Sequence, residues 1–254
     1  MIPDTTRPVY DRIGRAYTST RRTDPRIAAA IGAALGDART VVNVGAGAGA
    51  YEPPDRGVVA VEPSKAMIAQ RPAGAAPCIQ AVAENLPLRD RAFDASLAIL
   101  TVHHWTNRSR GLAELRRVAR RRVVILTWDP AADRDFWLTA EYFPEILELD
   151  LPRFPSPASI GEGLGRLRTI PVPVPHDCLD GFLGAFWRRP EAYLDHVVRD
   201  SISGFAQLDP EVVRRGVARL ADDLRSGGWE ARHGGLRQRE SLDVGYRLIV
   251  AEQS

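Results

Sequence analysis

Cysteine is nearly missing from this chain. The two present, Cys78 and Cys178, stand far apart, so they supply neither a disulfide framework nor the closely spaced thiols of a zinc site. They read as ordinary reduced thiols. Lysine is scarcer still: Lys65 is the only one, and every other basic residue apart from histidine is arginine. Alongside abundant Ala, Gly and Pro, that bias reads as the mark of a GC-rich coding sequence and not as an arginine-rich binding surface. A charge excess is lacking too. The formal net charge is +2, and no basic stretch is interleaved with aromatics, so no nucleic-acid partner is expected. No apolar run reaches the length of a membrane span, and residues 1–15 have no apolar signal core. The expectation is a soluble cytoplasmic protein with no membrane partner. Nothing points to a particular oligomeric state.

What is present suits one α/β domain. The length of 254 residues and the 44% hydrophobic content can build a sizeable core and leave little scope for long disorder. Residues 10–20, YDRIGRAYTST, read as a short amphipathic arm. Asp24-Pro25 then caps a helix whose apolar positions Ile27, Ala30, Ile31, Ala34 and Leu35 recur at helical spacing until Gly36. Short β-rich runs follow at 40–44, 58–61, 78–81, 93–100 and 123–127. Between them lie a helix at 64–71 capped by Ser64 and another at 108–120. Strands alternating with helices at this spacing predict a parallel sheet covered on both faces. After Asp129-Pro130 the pattern changes. Residues 131–150 are helical and aromatic, 167–174 is a proline-bearing strand suited to a sheet edge, 177–230 reads as several helices, and 241–251 closes the chain as a last strand.

The glycine turn after the first strand, G-A-G-A-G-A at 45–50, satisfies the loose dinucleotide pattern. The following residues argue against a pyrophosphate ligand. A pyrophosphate needs a helix N-terminus with free N–H groups behind the turn. Only residues 50–57 separate the last glycine from the next strand, and Pro53-Pro54 lie among them. No Gly-Lys-Ser/Thr follows, which excludes a Walker-type loop. Glu62 ends the second strand, where a carboxylate can accept from both hydroxyls of a ribose; its alternative is an acid placed at a helix start. The turn and the acid together fit a nucleoside without phosphates that carries a polar tail, a description that S-adenosylmethionine (SAM) satisfies.

N-V-G-A-G-A-G, then V-V-A-V-E-P-S with Met67 nearby, then A-E-N-L-P-L and F-D-A-S-L resemble the class I SAM-dependent methyltransferases, in particular the small-molecule branch called methyltransferase type 11. The arm Y-D-R-I-G-R-A-Y and H-H-W after the fourth strand are similar to that branch as well. The resemblance covers roughly residues 10–130 and the last strand. It implies a Rossmann-like, seven-stranded, mostly parallel sheet with an inserted helical cap, SAM as cofactor, and methyl transfer by in-line attack of a small-molecule acceptor. One domain spans 1–254: an arm and helix over the cofactor at 1–36, the cofactor core at 37–130, a helical cap with an edge strand at 131–240 and the final core strand at 241–254. The resemblance implies that Gly45, Gly47 and Gly49 face the methionine part, Glu62 the ribose, and Ala83 with Glu84 the adenine edge. Leu100 adds to the cofactor wall, and Tyr17 and Arg22 of the arm cover it. Ala83-Glu84 also reads as a plain strand-to-loop turn, and Tyr10 and Tyr17 as ordinary packing. This chain departs from the pattern twice. Asn43 stands where an acidic residue is usual, and Val82 where an aspartate commonly precedes Ala-Glu.

Methyl transfer from a sulfonium needs one proton acceptor or none, and histidine is the natural candidate. His103-His104 follow the fourth strand, at the end of the sheet where open α/β folds bind ligands. One can serve as base, or the pair can pack and shape the wall. His176, beside Asp177, is the third candidate. His196 and His233 read as surface residues. Phe136, Trp137, Tyr142, Phe143, Phe182, Phe186 and Trp187 read as the core of the cap, with some lining an acceptor pocket. Two other functions match parts of the pattern: a SAM-binding protein that does not methylate, acting as a regulator or rearrangement catalyst, and, less well, an NAD(P)-dependent oxidoreductase.

Overall fold

A computed structural model describes residues 21–132 and 136–253. The first helix, α1 (Pro25–Leu35), starts as its sequence predicts: the Asp24 side chain accepts from the Arg26 backbone N–H, and Pro25 occupies the first turn. It buries Ile27, Ile31, Ala34 and Leu35. Strands β1 (Thr40–Val44), β2 (Gly57–Val61), β3 (Cys78–Ile79), β4 (Phe93–Ile99) and β5 (Ala119–Trp128) follow, with the one-turn α2 (Lys65–Ile68) after β2 and α3 (Arg108–Val118) before β5. Ser64 caps α2 by accepting from Met67 N–H. No helix lies between β1 and β2, as Pro53-Pro54 predict.

The cap opens with α4 (Pro144–Asp150) and α5 (Pro157–Leu164). It continues through the edge strand β6 (Leu167–Pro171), β7 (Val174–Pro175), the short α6 (His196–Asp200), the long α7 (Pro210–Ser226) and α8 (Gly228–His233), and ends at β8 (Ser241–Leu242). Strand β9 (Tyr246–Glu252) completes a seven-stranded sheet of order β3-β2-β1-β4-β5-β9-β6. The first five strands are mutually parallel, and β9 runs antiparallel to both β5 and β6.

Both sheet faces are covered, which is why the central strands read as continuous apolar runs. Val124, Leu126 and Trp128 of β5 point to the face that carries α1 and the cap. Val123 and Ile125 point to the other, with Leu112, Leu115 and Val118 of α3 and Ile160 and Leu164 of α5. The cap core is aromatic: Trp137, Phe143, Trp187, Tyr193 and Trp229 are fully buried. Trp137 meets Trp229, Tyr193 and Tyr142 edge-on at 5.5–5.9 Å.

Three expectations need correction. Among the described residues of 131–150 the helical stretch is divided, into a π-helical turn over 138–142 and then α4. Pro144 supplies no N–H to continue the first segment and restarts the second. The closing run is broken: β8 pairs with β7, and β9 joins the main sheet. Between them Asp243 accepts from Gly245 N–H, and Gly245 takes φ +86, against a backbone carbonyl that a Cβ would strike. His233 is half-buried and not a free surface residue. Its Nε2 lies 2.7 Å from Glu141, and its ring packs near Trp137 and Trp229. Among the described residues no helix is long and apolar enough to cross a membrane.

Candidate active site

The glycine loop leaves the carboxyl end of β1. Gly45, Gly47 and Gly49 all have positive φ, which a side chain would disfavour. Gly45 is the tightest: a Cβ there would run into the Thr101 side chain. The loop is fastened to β2 by the Gly45 and Ala46 N–H groups, which donate to the Val61 carbonyl at 2.8 and 3.0 Å. Glu62 follows β2 and is 6% exposed. Its Oε2 accepts from Gly47 N–H at 2.8 Å and its Oε1 from Ser64 N–H at 2.9 Å. A carboxylate offers about four lone-pair directions, enough for ribose hydroxyls as well. These residues fit SAM: a loop kept free of side chains beside a buried carboxylate is what a phosphate-free nucleoside with an amino-acid tail requires.

Asn43, one of the two departures, is buried at the end of β1. Its amide donates to Glu52 at 3.3 Å, so an acid from beyond the glycine loop occupies the neighbourhood. Glu52 in turn accepts from Arg71 at 2.7 and 2.8 Å, and Arg71 also donates to the Gly47 carbonyl at 3.2 Å. The ion pair is nearly buried, with side chains 6% and 10% exposed. Val82, the other departure, is exposed. Ala83 is buried, and Glu84 accepts from the N–H of Asn107, the cap of α3.

A second network joins loop and cap. Tyr51, buried with φ +63, donates its hydroxyl to Asp180 at 2.9 Å. Arg21 donates to both Asp180 oxygens, at 2.5 and 3.2 Å. Asp24 accepts from Leu179 N–H and from Arg26, and Arg26 also reaches Asp177. Arg22 is exposed, and its neighbour Arg21 makes the contact with the cap. Tyr10 and Tyr17 lie outside the described residues.

Beyond the carboxyl ends of β4 and β5, a cavity of about 60 Å³ opens between sheet and cap. Leu100, with φ +49, and His103 border it from the β4 loop, Trp128 from β5, Tyr246 from β9, and Asp150 and Phe154 from the end of α4 and the turn after it. His103 stacks on Phe154 at 3.8 Å, and the His104 ring lies at the same distance from it, tilted by 49°. Burial and the neighbouring His104 hold its pKa well below the ordinary value, and its buried Nδ1 has no hydrogen-bond partner. His104 keeps an exposed edge, yet the protein around it and Arg153 lower its pKa to about 4. His176 is not among the residues lining this cavity. Its Nδ1 lies 3.4 Å from Glu240, next to the β7–β8 pair.

A sequence profile described as a methyltransferase domain matches residues 42–127. A crystal structure from Anabaena variabilis, described as a methyltransferase from an antibiotic biosynthesis pathway, is 34% identical. The match covers 91% of this chain and 98% of that one, with a TM-score of 0.84.

The chain belongs to the class I SAM-dependent methyltransferases.

A structure from Thermotoga maritima, described as a possible histamine N-methyltransferase, shares the fold of this methyltransferase at 15% identity, with a TM-score of 0.55 and 96% of each chain covered. Among curated proteins none matches. Family membership makes SAM the cofactor and sets aside the NAD(P)-linked reading.

Several residues of this methyltransferase's site are not evident in its sequence. Asp150 sits four residues after Ile146 on the buried face of α4, a spacing that could have flagged it as an acid on an apolar stripe. Glu52, Arg71 and Asp180 carry no such signal, because their partners come from distant segments.

Proposed function

We propose that this methyltransferase transfers the methyl group of SAM to a small molecule held in the cavity between sheet and cap. The observation that carries the reading is the position of that cavity, at the carboxyl ends of β4 and β5 and beside Leu100 and His103. Its size suits a small organic group, and its walls mix aromatic and aliphatic side chains with a few polar ones, as small-molecule sites commonly do. Gly45, Gly47, Gly49 and Glu62 hold the cofactor, with Ala83, Glu84 and Leu100 along its adenine and acceptor-facing edges. SAM supplies an activated methyl group, so the protein's main contribution is to hold the acceptor in line with it.

His103 and His104 are neutral at physiological pH, given their lowered pKa values. A neutral imidazole with so low a pKa is a weak base, so His103 acts chiefly as a wall, fixed by its stack on Phe154. The buried cap core of Trp137, Trp187 and Trp229 belongs to the same packed cluster as Phe182, Leu183 and Ile202, which line the cavity. The test is incubation of the protein with methyl-labelled SAM and a chemically diverse library of small molecules. Label on a low-molecular-weight product is expected. Label found only on protein or nucleic acid would contradict the reading.

A further inference from the structure

Asp150 ends α4 and lines the cavity, yet its residue is only 7% exposed. Among the described residues no donor reaches its carboxylate. The residue is nearly buried and its carboxylate opens only onto the cavity, where a charge that lacks a donor is costly. The charged groups nearby do not neutralise it. Arg21, across the cavity, is held by both oxygens of Asp180. Arg153 is exposed and donates to Gln207. The histidine facing the same space, His103, is uncharged.

Rings make part of the wall, and Leu100, Leu183 and residues 201–204 make much of the rest. Phe154 meets Trp128 edge-on at 5.2 Å and stacks on His103, while Phe182 and Tyr246 lie 4.5 Å apart on the far side. Aromatic faces attract cations through their quadrupole, and a carboxylate among them completes a site for a positively charged group. A hydroxyl could donate one hydrogen bond to Asp150 but would bring no charge to the rings. Burial raises the Asp150 pKa to about 6, with Arg153 opposing the rise, so the group is ionised near neutral pH and complementary to an ammonium ion.

We propose that Asp150 anchors the ammonium group of a small amine in this cavity, and that such an amine is the methyl acceptor: the ammonium gives one proton to the Asp150 carboxylate, the freed nitrogen lone pair forms the N–C bond as the S–C bond of SAM breaks to leave S-adenosylhomocysteine, and the proton passes from Asp150 to water. The second clause rests on the function proposed above; the binding site does not. Asp150 is thus a specificity-determining residue for an N–H-bearing acceptor.

The test uses matched amine and alcohol pairs built on butyl, benzyl and 2-phenylethyl groups. Each is titrated calorimetrically, near neutral pH, into the full chain and into Asp150→Asn and Asp150→Ala, with S-adenosylhomocysteine affinity measured in parallel. In the wild type at least one amine should bind roughly tenfold or more tighter than its alcohol, a difference typical of a desolvated charge pair. Both variants should lose that preference while their S-adenosylhomocysteine affinity is unchanged. Carbon-detected NMR should show the Asp150 pKa falling when the amine binds. Equal binding of amine and alcohol, amine binding that survives both substitutions, or no amine binding to the folded wild type would each overturn the proposal. An amine that binds through Asp150 but is never methylated would keep the site and remove the acceptor role.

Discussion

Single residues carry the first tests. Glu62 joins the glycine loop to the start of α2 and is the residue proposed to hold the ribose. Glu62→Ala should weaken SAM binding by ~1–3 kcal/mol, the cost of lost buried hydrogen bonds, as read by calorimetry on a variant shown to be folded. Unchanged affinity would remove Glu62 from the cofactor site. Asp150 makes an opposite kind of prediction. Its folded pKa of about 6 lies above the ordinary 3.8. Between those values the folded state binds the extra proton, so the neutral acid's contribution to stability is full below the lower pKa and is lost as pH rises through the upper one. At neutral pH the ionised group therefore costs stability, on the order of 3 kcal/mol as an upper bound. Asp150→Asn should raise the unfolding free energy at neutral pH, with the gain disappearing at acidic pH. Urea titrations over a pH series would show it, and a variant less stable than wild type at neutral pH would contradict it. A group that destabilises the fold where the protein works is typical of binding sites.

At the scale of elements, the glycine loop is held by side chains beyond its own sequence. The Glu52–Arg71 pair bridges the loop, Asn43 and the Gly47 carbonyl, and it is almost fully buried. Removing one member of such a pair leaves the other charge uncompensated, at ~3–5 kcal/mol. Glu52→Ala should therefore lower stability by that order and weaken SAM affinity together, whereas removing both charges with Glu52→Gln and Arg71→Met should recover much of the loss. A double-mutant cycle in chemical denaturation checks this. Asp180 plays the matching part for the cap, since Tyr51 of the loop and Arg21 both donate to it. Asp180→Ala should speed amide hydrogen exchange in the segment around Tyr51 and in residues 179–186 while leaving β4 and β5 protected. Uniform exchange across the chain would show that the network is not a local fastening.

These element-level links also explain what the sequence could and could not disclose. The strands were legible because parallel strands buried on both faces are apolar runs: Thr40–Val44 is found at the predicted limits. The helix starts at Asp24-Pro25 and Ser64 were legible because capping is local chemistry. The break between β8 and β9, the π-helical turn, and the partners of Asn43 and Asp180 were not, because each depends on contacts between distant segments. Asp150 was obscured by its surroundings: in E-I-L-E-L-D one acid among three is buried, and only the packing of α4 singles it out.

For the whole molecule, the sheet order, the helix-free crossover between β1 and β2, the positive-φ glycines and the buried Glu62 describe a site for a nucleoside that carries no phosphates. The cap adds a second compartment at the carboxyl ends of the same strands. The arrangement makes the cofactor's identity the claim on which every other assignment depends. The most direct measurement is a calorimetric titration of the full chain, freed of retained ligand, with SAM, S-adenosylhomocysteine, NAD and NADP. Micromolar binding of the first two and none of the dinucleotides is predicted. Binding of NAD or NADP, or no binding of SAM to the folded protein, would contradict the account.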